Sequence, residues 1–410
     1  MFSFSKVIWH LFVVCFCLIT LSSKAQNYSP YLTQAQSLAR SYLMVDTHID
    51  VPYRLWNQRQ QGVALDDISG STEGGDFDYF RAIEGGLNAP FMSIYIPAIY
   101  QRLGGARTFA DKRIDLVDNL AKTHPELFRV PKNTKQVEKL FRKGIMSLPM
   151  GMENGAGIEG DTKLIKHFYK RGVRYITLTH SEDNRICDSS YDTARTWNGL
   201  SPFGRDVVRE MNRIGMMIDV SHVSDSTFFQ VLALTSKPVI ASHSSCRKFV
   251  PGFERNMNDD MIRAMAANGG VIQINFGSTF IDSASRNGFD ARRAALRQFL
   301  LESDAEWGDS ASNTFLAQYD ETHGGKPYST VQRVADHIDH VVALAGVDHV
   351  GFGSDFDGVG DSLPIGLKDV SMYPNLIAEL LRRDYKPEDI RKMCGENLMR
   401  VWKANERKGN

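Results

Sequence analysis

The 410-residue sequence predicts an α/β fold, a (β/α)8 TIM barrel with long βα-loop insertions. Three observations carry that expectation. Short apolar, β-branched runs recur eight times, separated by helix-like stretches of tens of residues, and this alternation builds βα units and a parallel sheet. No glycine-rich dinucleotide loop follows the first run, which disfavours the runner-up, an open doubly wound sheet. Six of the eight runs end on or beside histidine or a carboxylate, and barrels gather their reactive groups at the C-terminal ends of their strands.

Taken in order, the expected strands cover residues 43–50, 87–97, 145–153, 173–180, 216–222, 238–244, 270–276 and 349–355. Helical periodicity marks 161–171, 204–214, 226–234, 259–268 and 331–345. Ser224-Asp225-Ser226 and Asn258-Asp259 supply side-chain acceptors for the free N–H groups that open two of these helices. Residues 51–86 and 277–330 are long connections after the first and seventh strands, where insertions build an active-site rim. The expected organisation is a signal peptide at 1–25 followed by a single barrel domain at 26–410.

The leader rests on Lys6, an apolar run from 7 to 21 broken by His10, and small residues at Ser23-Lys24-Ala25, with cleavage expected after Ala25. Export follows, to the periplasm or the medium. The run is short for a membrane span, so no stable anchor is expected. Cys15 and Cys17 lie inside the run rather than at its end, against a lipoprotein, and the polar stretch 403–407 argues against a GPI anchor. The remainder is 42% hydrophobic and 23% charged over the full chain, an ordinary globular balance. Loss of Lys6 and Lys24 moves the formal charge from 0 to −2, which gives no electrostatic case for nucleic acid or an anionic membrane. Cys187, Cys246 and Cys394 are too few for a disulfide framework; one bridge is allowed, and three reduced, buried thiols are the expected state.

Chemistry concentrates at the strand ends. The first strand ends His48-Ile49-Asp50, the third at Glu153, the fourth at His180, the fifth at His222 and the eighth at Asp355, and the sixth reaches His243. Strand side chains alternate, so His48 and Asp50 share a side. Singly, each signal is weak. His48-x-Asp50 reads equally as a polar strand end, Glu153 as a helix cap, His222 as a hydrogen-bonded core histidine and His180 as a loop contact. Asp355 or its neighbour Asp357 reads as a turn residue. His124, His167, His323, His337, His340 and His349 fall in helices, loops or a strand start and are given no role. Together the rim residues are specific. Imidazole and carboxylate suit zinc and similar ions. His48, Asp50, Glu153, His222 and His243 are too many ligands for one catalytic ion and suit two divalent ions that share a carboxylate and a water.

Several stretches carry a family likeness: Val45-Asp46-Thr47-His48-Ile49-Asp50-Val51-Pro52, Arg174-Tyr175-Ile176-Thr177-Leu178-Thr179-His180, the stretch 199–204 followed by 215–224, Ser242-His243-Ser244, Arg255-Asn256 and the run 351–358. From about residue 40 to 402 the chain resembles the membrane (renal-type) dipeptidases, metal-dependent barrels related to the amidohydrolases. The resemblance implies that His48 and Asp50 hold one metal, that His222 and His243 hold the second, and that Glu153 bridges them in place of the carboxylated lysine of other amidohydrolases. It implies Asp355 as catalytic acid/base, His180 as the histidine on the reacting carbonyl and Arg255 as the partner of the substrate's free carboxylate. Tyr53 falls where some members carry a pocket tryptophan.

The implied reaction is hydrolysis of dipeptides, including those with a C-terminal D-residue, by a hydroxide between two metals, with Zn2+ the default. The implied assembly is a homodimer, and related animal enzymes add a β-lactam-opening side activity. Two stretches depart from the family. Its Glu-Gly-Gly reads Glu153-Asn154-Gly155, and the segment 181–188 differs from animal members, where side-chain preference would change. The competing readings are a related binuclear amidohydrolase acting on another small amide, which would not need Arg255, and a non-catalytic barrel binding protein, against which the complete ligand set argues.

Overall fold

The apolar runs are buried on both faces, as barrel strands require, because helices cover the outside and side chains fill the inside. All six residues of β1 (Met44–Ile49) are buried, although three of them are Asp46, Thr47 and His48. β2 (Leu87–Tyr95), β3 (Met150–Glu153), β4 (Val173–Thr177), β5 (Met217–Asp219), β6 (Ile240–Ser244), β7 (Val271–Ile274) and β8 (Val350–Phe352) follow in chain order, all parallel. The barrel closes where Asp46 of β1 pairs with Phe352 of β8, which bears out the expected (β/α)8 architecture. The computed structural model describes residues 29–407, so the expected leader lies outside the described residues.

Helices at Lys163–Arg171, Pro202–Ile214, Asp225–Leu234, Asp259–Ala267 and Val331–Ala345 match the periodic segments closely. The expected caps form: Ser224 Oγ accepts from Thr227 N at 3.2 Å, and Asn258 Oδ1 accepts from Met261 N at 2.9 Å. Two expectations need correction. The strand at 145–153 is split, because Pro149 has no N–H for the ladder; Met146–Ser147 pairs instead with Phe128–Arg129 in a separate small sheet. The strands of 173–180, 216–222 and 349–355 leave the ladder before His180, His222 and Asp355, at Thr177, Asp219 and Phe352. The long connections are largely helical, with Val51–Gln60 and Tyr79–Gly85 in the first and Ser278–Ile281, Ser283–Glu302 and Ser310–Thr322 in the second.

Two apolar clusters hold the structure. One fills the barrel with Val45, Phe91, Tyr175, Met217, Ile240 and Val271; Trp402, from the helix Asn397–Asn405, packs onto Phe91 with centroids 5.3 Å apart. The Tyr175 ring crosses the barrel only because residue 151 is glycine: a Cβ there would sit 1.9 Å from the ring. The larger cluster lies between the strands and the helices. Among the described residues no helix is long and apolar enough to cross a membrane, and Cys187, Cys246 and Cys394 are buried and unbridged.

His337 sits in this outer layer. It is fully buried, with Nδ1 2.9 Å from Cys246 N and Nε2 2.8 Å from Ile281 O. Accepting at one nitrogen and donating from the other uses the neutral ring, and burial pushes its pKa down to about 3. Below pH 6.5 the unfolded chain binds a proton that the folded chain refuses. Stability is therefore full above that pH and falls towards pH 3, by as much as about 4–5 kcal/mol from this group. His337→Asn should lower stability at pH 7 yet flatten the acid limb, which urea unfolding at pH 4 to 7 would measure. A parallel acid limb in the variant would refute the assignment.

Candidate metal centre

The rim is assembled from both strands and the turns beyond them. His48, Glu153 and His243 belong to β1, β3 and β6. His180, His222 and Asp355 each lie three residues past their strand. His222 and Asp355 have φ of 69° and 66°, a left-handed conformation uncommon for any residue but glycine and worth explaining when two occur at one site. It turns both side chains back over the barrel mouth. Gly358 makes room for this turn: a Cβ there would lie 2.2 Å from Asp355 Oδ1 and 2.3 Å from Asp50 Oδ2.

Every expected site residue except Arg255 lines one cavity of about 450 Å3 or lies directly beneath it. Glu153 is central and 4% exposed. Its Oε1 lies 3.0 Å from His222 Nε2, 3.2 Å from His243 Nε2 and 3.7 Å from His180 Nε2, and Oε2 lies 3.4 Å from His48 Nε2. Asp50 Oδ2 is also 3.4 Å from His48 Nε2. Three clusters of converging ligand atoms result: His48, Glu153 and His243; Glu153, His180 and His222; and His48, Asp50 and Asp355.

The hydrogen-bond network assigns the protons on two of these rings. The Tyr175 hydroxyl donates to Thr47 O at 2.8 Å, so at 3.0 Å it accepts from His48 Nδ1–H, which leaves His48 Nε2 facing the site. Ser242 Oγ donates to Asp219 Oδ2 at 2.6 Å and accepts from His243 Nδ1–H at 2.7 Å, which leaves the His243 Nε2 lone pair facing inward too. His222 Nε2 accepts from Arg255 Nη2 at 3.0 Å and is 2.9 Å from His243 Nε2. The Nε2 atoms of both rings and a carboxylate thus converge, and among the described residues His48 Nε2 and Asp50 Oδ1 have no hydrogen-bond partner. This donor set fits a metal.

The electrostatics agree. Burial, with Arg255 alongside, holds His222 well below the ordinary imidazole range; burial, with His48 alongside, does the same to His243. Both stay neutral, as ligands must. Burial alone would lift Glu153, but the surrounding histidines hold it well below the carboxylate range. His48 is the exception: burial would lower it, but Tyr175, Glu153 and Asp50 overcome it and hold the ring well above its ordinary value, so Nε2 holds a proton that a metal ion would have to displace. Burial pushes Asp355 up to about 7, aided by Asp50 and Glu153 and opposed by His48.

Arg255 lies behind the cavity, 3% exposed. Nη1 donates to Ser244 Oγ at 2.8 Å, Nη2 donates to His243 O at 2.7 Å and to His222 Nε2, and Nε has no partner. Tyr53 lines the cavity, edge-on to Tyr95 at 5.0 Å. Sequence reasoning missed Tyr95, Tyr191, Phe280 and Val359 on the cavity wall. It also missed Asn275, whose Nδ2 donates to Asp355 Oδ2 at 2.7 Å, and Tyr175 as the support of His48. Only Tyr175 falls in a quoted stretch, and nothing there marks its contact; the partners of Tyr175 and Asn275 lie far away in sequence. Asp219 accepts from the Ser242 hydroxyl and from the N–H groups of Ser221 and Ser242, the neighbours of His222 and His243.

A closed barrel whose mouth gathers imidazoles and carboxylates around one buried glutamate defines a metal-dependent hydrolase. Residues 32–410 match the membrane dipeptidase family, peptidase family M19. An uncharacterised dipeptidase of Schizosaccharomyces pombe is 31% identical over 92% of this chain and 84% of its own. The dipeptidase verJ of Clonostachys rogersoniana is 33% identical over 92% and 87%. Among solved structures, the probable dipeptidase PvdM of Pseudomonas aeruginosa superimposes with a TM-score of 0.77 at 26% identity, covering 92% of this chain and 98% of that one. The chain belongs to the membrane dipeptidase family and is a metallo-dipeptidase.

Tyr175→Phe tests the proton assignment. It removes the acceptor of His48 Nδ1–H while keeping the ring that fills the barrel. Metal affinity should weaken by about 10–100-fold, as for other partners of ligand histidines. Competition with a chelator measures it, and unchanged affinity would show that His48 is oriented by something else.

Proposed function

We propose that this chain is an exported dipeptidase in which Glu153 joins two divalent ions, zinc by default, with His48 and Asp50 on one and His222 and His243 on the other. The observation that carries this reading is the convergence of three imidazole Nε2 atoms on Glu153. When bound, divalent ions held by these residues would supply an activated water and a polarised carbonyl.

The chain's own residues do the rest. Arg255 takes the substrate's free carboxylate. Its Nε is unpartnered among the described residues, and the Nη2 N–H on His222 would be released if that lone pair went to a cation while the other stays on His243 O, so Nε–H and one Nη2 N–H form a fork for a bidentate contact. His180, whose side chain is 20% exposed and whose Nδ1 has no partner, faces the cavity to steady the developing oxyanion. Asp355 has Oδ2 held by Asn275 Nδ2, which leaves Oδ1 to take the proton of the attacking water and return it to the leaving amine. Tyr53 forms part of the side-chain pocket. Pinning one end at Arg255 favours dipeptides over long peptides. Residues 1–25 direct export, and the chain pairs as a homodimer.

The test is metal content of the purified mature chain, together with amino-acid release from L,L and L,D dipeptides and a decapeptide. Close to two ions per chain with chelator-sensitive cleavage of dipeptides, and the decapeptide left intact, is expected. Two ions with no dipeptide cleavage would move the reading to another small amide. No metal and no cleavage after reconstitution would leave a binding protein. A mature N-terminus at Gln26 in the exported fraction would establish the leader.

A further inference from the structure

The reaction cavity continues into a second chamber. A larger cavity of about 730 Å3 shares Tyr191, Phe280, Gly358 and Val359 with it. The outer wall of this chamber comes from the helix Ser283–Glu302 inserted after β7, which contributes Arg286, Arg292 and Arg293. Their charges are not equally engaged. Arg292 is paired with Asp320 at 2.6 and 2.9 Å, and on the opposite side Asp361 is held by Lys326 and Tyr328. Arg286 reaches a carboxylate only at 4.0 Å, that of exposed Asp290, and lies over the Phe253 ring at 3.8 Å. A guanidinium stacked on a ring keeps its N–H edge free for an in-plane carboxylate. Arg293 is exposed and has no ion-pair partner among the described residues.

The geometry also says which end of a substrate meets the chamber. Phe280 lines both cavities, and the Arg255 guanidinium carbon is 5.7 Å from its ring. A carboxylate held at Arg255 places the substrate's C-terminal residue beside Phe280, so that residue's side chain crosses into the chamber. The N-terminal residue lies on the side of the reacting carbonyl.

We propose that the chamber is the subsite for the side chain of the C-terminal residue, and that Arg286 and Arg293 select an anionic one, of glutamate length or longer. The proposal rests on the dipeptidase reading above and on the role given there to Arg255. Neither small size nor hydrophobicity of a substrate accounts for two under-paired arginines on one wall.

The experiment compares kcat/KM of the full-length, metal-loaded chain for Ala-Glu, Ala-Gln, Ala-Lys and Glu-Ala. Glutamate and glutamine differ in charge and little in shape. Ala-Glu should exceed Ala-Gln by about tenfold at low salt, the value of a charge-assisted bidentate contact that is partly exposed, and the ratio should shrink as salt rises. Arg286→Met and Arg293→Met keep the aliphatic stems, including the packing on Phe253, and should bring the ratio towards one. Arg286→Glu should shift preference towards Ala-Lys. Equal cleavage of Ala-Glu and Ala-Gln by the unaltered chain would overturn the subsite, and so would Met variants that keep the ratio. A preference for Glu-Ala instead would overturn the assignment to the C-terminal residue. Cleavage of none of the four would overturn the dipeptidase reading itself, an outcome distinct from cleavage without charge preference.

Discussion

Glu153→Gln should empty the metal centre without unfolding the chain. Among the described residues the carboxylate is the only anion within 4 Å of His222 and His243, at 3.0 and 3.2 Å, and its other oxygen faces His48 at 3.4 Å. Glutamine has the same shape, and its amide N–H can donate to an imidazole lone pair, so the buried ring of histidines stays hydrogen-bonded and the barrel keeps its core. What disappears is the charge that two ions would share. Loss of an orienting partner typically weakens metal affinity about 10–100-fold, and loss of the shared ligand should exceed that. Metal counted after dialysis should fall below one ion per chain, dipeptide turnover should fall to background, and the unfolding midpoint measured without added metal should change little. A Gln variant that retained both ions and turnover would remove Glu153 from the centre.

How much of this was legible in the sequence depended on whether the information was local. Eight buried runs with helices between them pointed to a barrel, because parallel strands covered on both faces read as largely apolar runs. His48 and His243 were legible as inward-facing rim residues for the same local reason: the alternation of an extended chain fixes which side they face, whereas Asp50 stands just past β1 at the start of the next helix. His180, His222 and Asp355 were placed on the correct rim by the wrong device. They stand on turns beyond the strands, and the left-handed conformation that aims His222 and Asp355 has no reliable signature in those two residues. Only Gly358, in contact with Asp355 and Asp50, hints at the crowding there.

The contacts that hold these side chains in place left little local trace. Tyr175 reaches His48 across 127 residues and Asn275 reaches Asp355 across 80, and no spacing rule covers such pairs. The second chamber was hidden because the stretch 277–330 looked like a rim loop, whereas it folds into helices that carry their own arginines.

Asp355→Asn should abolish most turnover and, in doing so, settle what Asp355 is. Asparagine tolerates the left-handed backbone at least as well as aspartate, so φ near 66° is kept. The amide oxygen still accepts from Asn275 Nδ2, now 2.7 Å away. The side chain changes only at the second position, where an N–H2 replaces the oxygen that would accept a proton. If that proton transfer is its task, kcat should drop by about 100- to 10,000-fold while both ions remain. Asp355 also lies in one ligand cluster with His48 and Asp50, and a ligand role predicts something different: metal content on the His48 side would fall together with turnover. Counting metal and measuring kcat on the same preparation separates the two. Asp355 held up near pH 7 by burial beside Asp50 and Glu153 fits a group that both takes and returns a proton. A variant with full metal and full turnover would exclude both roles and leave Asp355 as the turn that shapes the mouth.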